Sequence, residues 1–481
     1  MINKNSRFVR SLTLQHYCKI QESAIINLIE GGYIMFKWIM KQPDSDRLVP
    51  QAKIASTYRW RQFGVLLATC IGYIGYYIIR LVFTTEQNDI MKEYHFTTAN
   101  IGLILSCFGI GYGVAKLFMG VLADKCDSNR YLMMGLLLSA ILNIFLGSTR
   151  NLYLMMLLMF LMAITQGMGA AACQKMIQLW WGPRMRGTMY SIWSSAHNAG
   201  SFICVAIVQL AVFLFSGSIP AVFYTSSAIS FLICILILVL GADRPRVVGL
   251  PDISTYTGDK VILDNGQVST ADQTDLSVGQ IFVKYILQNK LVWAVTLTSM
   301  SLYLVRYGIQ SWIPSYLVQN KGFDPAAAKW VIGIFELASV PGVIIIGAIS
   351  DALKGRRALV SIACVIGTLI CLTFYFFSNN HTLIIIALII MGNLIYAPLT
   401  LVGLMINEVV PKYAVGASTG FMGFFQYIFG ETLATALIGI LVDKFGWIAS
   451  NSVLYVASFA ALIFLFYTAI SENKLRKEAA K

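Results

Sequence analysis

Charge is what this chain most lacks. Of its 481 residues only 12% are Asp, Glu, Lys or Arg, while 57% are hydrophobic. A water-soluble domain carries about 25% charged residues, so this chain cannot clothe a solvent-facing surface of ordinary extent. Soluble enzymes, secreted disulfide scaffolds and disordered tails are excluded. The nine Cys form no Cys-x-x-Cys pair, and seven of them (Cys70, Cys107, Cys173, Cys204, Cys234, Cys364 and Cys371) fall in apolar runs. That reads as packing rather than as metal or disulfide chemistry. No phosphate-cradling glycine loop and no nucleophile–base constellation is present, so the chain is expected to be no enzyme and to need no cofactor or metal. The net charge of +13 would suit nucleic acid, but in so apolar a chain it marks cytoplasmic loops, and no nucleic-acid partner is expected.

Long apolar runs are what the chain has in place of charge. A bilayer core of about 30 Å needs about 20 apolar helical residues to cross. Such runs lie at 63–83, 100–122, 131–147, 152–177, 189–215 and 219–241, then at 291–313, 330–349, 358–377, 382–406, 416–442 and 449–470. They predict an all-α, lipid-embedded protein of twelve transmembrane helices in two six-helix halves, 63–241 and 291–470. Residues 1–62 and 471–481 flank them, and 242–290, rich in turn residues such as Asp264-Asn265-Gly266, form a polar linker read as a tether.

The 36 Lys and Arg residues orient the chain. With the N-terminus inside, ten precede the first span and eighteen lie in or beside later inner segments. Only Lys92, Arg150, Lys321, Lys329 and Lys444 fall outside, and Arg80, Lys116 and Arg306 sit within spans. The positive-inside rule therefore predicts cytoplasmic termini. The first 62 residues hold no apolar leader with a cleavage site. Met35 is the expected start, because Glu30-Gly31-Gly32 is the kind of tripeptide that a purine-rich ribosome-binding site would encode.

The two halves repeat one another. Gly120-Val-Leu-Ala-Asp124 with Arg130 returns as Gly347-Ala-Ile-Ser-Asp351 with Arg357, and Tyr77-Ile-Ile-Arg80 returns as Tyr303-Leu-Val-Arg306, at offsets of 227 and 226. Near-equal offsets at independent motifs point to duplication of a six-helix unit. Duplicated halves with this loop motif resemble the major facilitator superfamily. The loop glycines are expected to permit close helix approach. The loop Asp124 and Asp351, with Arg130 and Arg357, are read as a fastener at the cytoplasmic gate without substrate contact.

Arg80 and Arg306 are the residues that call for a ligand. A mid-membrane Arg costs about 2.5–3.5 kcal/mol on insertion scales, and a pseudo-two-fold axis would bring these two together at the central cavity. At about 10 Å and an effective dielectric near 20 they repel by roughly 1.7 kcal/mol. A dianionic phosphate between them reverses that sign, since guanidinium offers planar bidentate donors. The competing structural reading pairs each Arg with a carboxylate, Glu336 or Glu431. Lys116 either snorkels to the inner interface or adds field to the site. Lys92 and Lys175 flank span ends and are expected to snorkel. His197, among Ser194, Ser195 and Asn198, is either a packing residue or a phosphate donor. Of the aromatics Tyr73, Tyr76, Tyr77, Trp193, Tyr303, Tyr396 and Tyr427, the pair Tyr77 and Tyr303 stand one turn before an Arg on the same face and are the better binding candidates.

These stretches resemble one family closely, the organophosphate:inorganic phosphate antiporters, whose members include bacterial glycerol-3-phosphate and hexose-phosphate transporters and a hexose-phosphate sensor. The resemblance rests on Gly72-Tyr73-Ile-Gly-Tyr76-Tyr77-Ile-Ile-Arg80, Tyr303-Leu-Val-Arg306-Tyr-Gly-Ile-Gln-Ser-Trp312-Ile-Pro314, Gln166-Gly-Met-Gly169, Ala196-His197-Asn198, Gly249-Leu-Pro251 and Glu408-Val-Val-Pro411-Lys412. It implies that Arg80 and Arg306 are paired phosphate ligands, that Lys116 and His197 support them, and that Tyr396, Tyr427 and Glu336 line or flank the cavity. It also implies exchange of a sugar phosphate for inorganic phosphate in a bacterial cytoplasmic membrane. Leu81 stands where the glycerol-phosphate branch tends to have Lys, and Ala170-Ala171 stand for its Trp-Pro. Glu431 resembles the acidic position of the hexose-phosphate branch, although Ala434 replaces the Lys expected nearby. A small residue at 170 and an acceptor at 431 lean towards hexose phosphate over glycerol-3-phosphate. Two other readings stay open here: a sugar-phosphate sensor signalling to a partner kinase, and a proton-coupled carrier of another solute.

Overall fold

The computed structural model describes residues 38–257, 280, 282–353, 356–410 and 414–479; the expected start at Met35 and the middle of the linker lie outside them. The first group of helices is α1 (Ile54–Tyr94), α2 (Thr98–Lys125), α3 (Ser128–Ser148), α4 (Leu152–Trp180), α5 (Pro183–Leu214) and α6 (Ile219–Leu240). The second is α7 (Lys290–Gln310), α8 (Ile313–Lys321), α9 (Pro325–Ala352), α10 (Arg357–Phe377), α11 (His381–Val409), α12 (Val415–Phe425) and α13 (Ile438–Ala479). Two π-helical turns, Gln426–Glu431 and Leu433–Leu437, join α12 to α13.

Among the described residues, ten helical stretches are long and apolar enough to cross a bilayer. One of them, Ala417–Ser471, is broken by Gly446, whose φ of 73° takes it out of helical geometry. The span expected at 291–313 is not among the ten, its apolar run diluted by Arg306 and by Thr296, Thr298, Ser299 and Ser301.

Local sequence sets the helix ends. Thr97 and Asn100 form a capping box at α2, and the side chains of Asp127, Asn151, Asn289 and Asn380 accept from the first amides of α3, α4, α7 and α11. Pro183 and Pro220 occupy first-turn positions of α5 and α6, where the missing N–H costs nothing.

α1 runs well past the expected end at residue 83, as far as Tyr94. Thr84, Thr85, Glu86 and Gln87 end an apolar run, yet all four are buried, because protein surrounds the helix there. Glu86 and Gln87 meet Lys329 and Ser311 of the second helix group, Thr84 borders a cavity shared with Tyr307, and Thr85 bonds back to the Leu81 carbonyl. The two groups meet along α5 against α9 and along α2 against α12–α13. At the second seam a Cβ on Gly102 would lie 2.5 Å from the Thr435 carbonyl, so glycine is needed for that approach.

The linker's first residues are not a bare tether. Ser45 and Val49 donate backbone hydrogen bonds to the carbonyls of Arg246 and Gly249, Arg244 pairs with Asp44, and the Tyr58 hydroxyl donates to the Pro251 carbonyl. Residues 38–53 thus strap the linker's start to one rim of the bundle. The strap continues to the α2–α3 loop through a Met40–Cys126 bridge and through Arg130, which donates to the Trp38 carbonyl at 2.9 Å and lies over the Trp38 ring.

Candidate functional site

The charges inside the bundle converge where α1, α2, α7, α9, α11 and the π-turns face one another. Arg80 on α1 and Arg306 on α7 are both buried. Their guanidinium carbons lie 5.7 and 4.8 Å from the centroid of the same ring, Tyr307, so they are no more than about 10.5 Å apart. The duplicated tyrosines keep matching positions, with Arg80 5.7 Å from the Tyr77 ring and Arg306 5.8 Å from the Tyr303 ring. The repeat is therefore visible as geometry.

The surroundings of the two guanidiniums differ. Arg80 Nη2 donates to the Tyr307 hydroxyl at 2.9 Å and to both Glu431 oxygens at 3.2 and 3.3 Å, and its carbon lies over the rings of Phe108 and Tyr112 at 4.5 and 5.0 Å. The carboxylate-pairing reading thus holds for Arg80. It does not hold for Arg306, which makes no ion pair among the described residues. Arg306 lies 4.3 Å over the Tyr396 ring, and its Nε and Nη2 have no hydrogen-bond partner. Glu336, the other candidate partner, accepts from the Tyr396 hydroxyl instead. A buried guanidinium held between aromatic faces with N–H groups unused is prepared for an acceptor that the protein does not supply.

Lys116 reaches across the seam and lies 4.8 Å from the Tyr427 ring on the other side, yet it is exposed. Its ammonium thus sits at the seam between the two helix groups, over the Tyr112 and Tyr427 rings. Gln174 and Tyr190, which hydrogen-bond each other, are exposed as well. Tyr427 packs on Tyr112, Tyr303 and Tyr307. His197 donates from Nδ1 to the Ser194 carbonyl, which aims the other ring nitrogen away from its own helix, and its ring lies 5.2 Å from Tyr77 and 6.1 Å from Tyr396.

Several expectations need correction. Tyr76 does not face the cavity: its hydroxyl donates to the Leu132 carbonyl at 2.8 Å, and its ring packs against Gly169 inside the first helix group. Trp193 is buried on Tyr73 and Tyr190, with the rings of Tyr73 and Tyr77 between it and Arg80. Lys175 does not snorkel but caps the end of α2, donating to the carbonyls of Ala123 and Cys126. Gly120 and Gly347 make no close helix approach, since a Cβ on either would meet nothing within 4 Å. The side chains of Asp124 and Asp351 lie outside the described residues, Arg130 anchors the strap, and Arg357 opens α10.

At the end opposite the strap the helix groups are latched together. Lys329 on α9 is buried and donates to Glu86 and Asp89 on α1, both at 2.6 Å. Gln87 and Asn88 donate to the carbonyls of Ser311 and Pro314, and the Asp443 carboxylate accepts from the first amides of α2 at Thr98 and Ala99. Apolar runs alone could not reveal this latch. The signal was the carboxylate pair Glu86 and Asp89 directly after a span, with Lys329 just before another. Tyr307 and Tyr112 were also missed, although Tyr307 stands four residues after Tyr303, the spacing that shares a helix face.

The model of the Major Facilitator Superfamily matches residues 65–430 and 295–481. The chain is 35% identical to the glycerol-3-phosphate transporter of Bacillus subtilis (strain 168), over 89% of this chain and 96% of that one. It is 30% identical to the hexose-6-phosphate:phosphate antiporter of Escherichia coli (strain K12), over 86% of this chain and 91% of that one. Among solved structures it is similar to a bacterial homologue of the human lysosomal transporter Spinster in its inward-facing, unoccupied conformation. The TM-score there is 0.65 at 16% identity, covering 85% of this chain and 96% of that one.

Proposed function

Because this chain belongs to the major facilitator superfamily, and within it to the organophosphate:phosphate antiporters, we propose that it exchanges a sugar phosphate for inorganic phosphate across a bacterial cytoplasmic membrane by alternating access. The observation that carries this reading is the Arg pair. One guanidinium comes from each helix group, both are buried within about 10.5 Å of each other across Tyr307, and Arg306 has N–H groups left over. A phosphoryl group carries the charge and the planar arrangement of oxygens that such a pair accepts.

Arg306 and Arg80 take the phosphoryl group, Lys116 draws anions along the cavity, and Tyr77, Tyr303, Tyr396, Tyr427 and His197 form its walls and donors. Inorganic phosphate and a sugar phosphate present the same group, so each carries the protein back for the other. Without a bound anion Arg306 keeps buried N–H groups with no acceptor, which opposes closure of the cavity and favours exchange over one-way movement. The strapped end, with the termini and the linker, faces the cytoplasm on this reading, and the Lys329 latch closes the outer end. The room left by Ala170 favours a hexose phosphate over glycerol-3-phosphate.

Uptake of labelled hexose 6-phosphate into liposomes loaded with inorganic phosphate tests the proposal. Uptake that requires internal phosphate is expected. Specific binding without any uptake would instead favour a sensor, and uptake indifferent to internal phosphate would sink the exchange.

A further inference from the structure

One group in the site runs against the exchange of anions. Glu431 is itself an anion, and it already occupies Arg80. Both its oxygens lie within 3.3 Å of Arg80 Nη2, where a phosphoryl group would be held, and Arg80 and Glu431 belong to different helix groups. Arg306 lies against the rings of Tyr307 and Tyr396, makes no ion pair among the described residues, and keeps Nε and Nη2 unused. The two guanidiniums are thus unequal in what they can offer an arriving anion.

Building on the exchange reading, we propose that Glu431 is an internal substitute for the substrate's anion: it holds Arg80 between substrates, and a phosphoryl group seated on Arg306 displaces it. Two features let the carboxylate move. It sits at the end of the first of two successive π-turns, a loosely wound backbone that can shift register. A narrow cavity also adjoins Arg80 and Glu431 on the latched side, walled in part by Thr84, Gln310 and Ser311, where hydroxyl and amide groups can receive it. Displacement exchanges an ion pair between the helix groups for a phosphate bridge between them. An anion that cannot engage both guanidiniums does not complete that exchange, so Glu431 also screens out weaker anions.

The test is calorimetric binding of inorganic phosphate to the full-length protein in detergent, comparing wild type, Glu431→Gln, Arg80→Gln and the double variant. Removal of the competitor should tighten phosphate binding about tenfold, the effect of one charge-assisted hydrogen bond. That gain should vanish when Arg80 is Gln. Unchanged or weaker binding in Glu431→Gln overturns the proposal. A gain that persists in the Arg80→Gln background also overturns it, because Glu431 would then act only through its general field. Glu431→Asp, one methylene shorter and still charged, should give a smaller gain in the same direction, and it serves as the probe if the Gln variant does not insert. Wild-type protein that binds no phosphate at all would overturn the exchange reading instead.

Discussion

The Tyr307 hydroxyl accepts a hydrogen bond at 2.9 Å from Arg80, a residue 227 positions earlier in the chain, while the Tyr307 ring lies under Arg306. One tyrosine therefore sets the spacing between the two charges. Tyr307→Phe keeps the ring and removes the acceptor. Phosphate exchange should fall by about ten- to a hundredfold, the range for one hydrogen bond to a charged group, with protein yield unchanged. Rates equal to wild type in reconstituted vesicles would show that Arg80 does not depend on this contact.

Arg306→Lys and Arg80→Lys keep the charge and lose the planar fork. Either should cut phosphate exchange by more than about a hundredfold, since a bidentate charge-assisted contact is lost. Arg306→Lys should be the more damaging for initial binding, because Arg306 has no competing carboxylate. Labelled phosphate counterflow checks both.

In the latch Lys329 and Glu86 form a buried ion pair beside the partly exposed Asp89, and removing one member of a buried pair typically costs about 3–5 kcal/mol through the charge left unpaired. On the proposed orientation, Lys329→Met should therefore loosen the outer end. A cysteine placed at Ser315 in that background should react faster with a membrane-impermeant thiol reagent added outside. Equal labelling with and without Lys329 would mean that the latch does not hold the closed end.

Gly249 has φ +75°, and a Cβ there would fall 2.1 Å from the Arg47 carbonyl oxygen. Gly249→Ala should detach the strap and lower the melting temperature by several degrees, as expected for a substitution costing about 1–3 kcal/mol. The residues after Trp38 should also become a site of limited proteolysis. An intact strap under protease would count against its anchoring at Gly249.

Apolar runs revealed the helices because lipid selects for them residue by residue. The motif offset of 226 or 227 revealed the Arg pair because duplication copies spacing. What escaped is what faces protein rather than lipid. The end of α1 from Thr84 to Gln87 is polar, so it reads as loop, but burial within protein makes its polarity useful. Lys329 reads as an outer-loop charge and is instead buried with two acids. Tyr76 and Tyr77 are adjacent in sequence, but neighbouring helix residues point about 100° apart, so only Tyr77 shares the Arg80 face. Gly120 and Gly347 were assigned to helix contact from their motif, yet a motif does not say which conformation brings its glycines against a neighbour.

Asp443 caps the first turn of α2 from the opposite side of the molecular divide. Most helix caps are permanent fixtures of their own fold unit, whereas this one, on the proposed orientation and alternating access, is surrendered whenever the exterior mouth parts. The bare amides at Thr98 and Ala99 would then greet the first solution ions to arrive. Cycling speed should therefore respond to the anions outside the cell, even those the protein never carries.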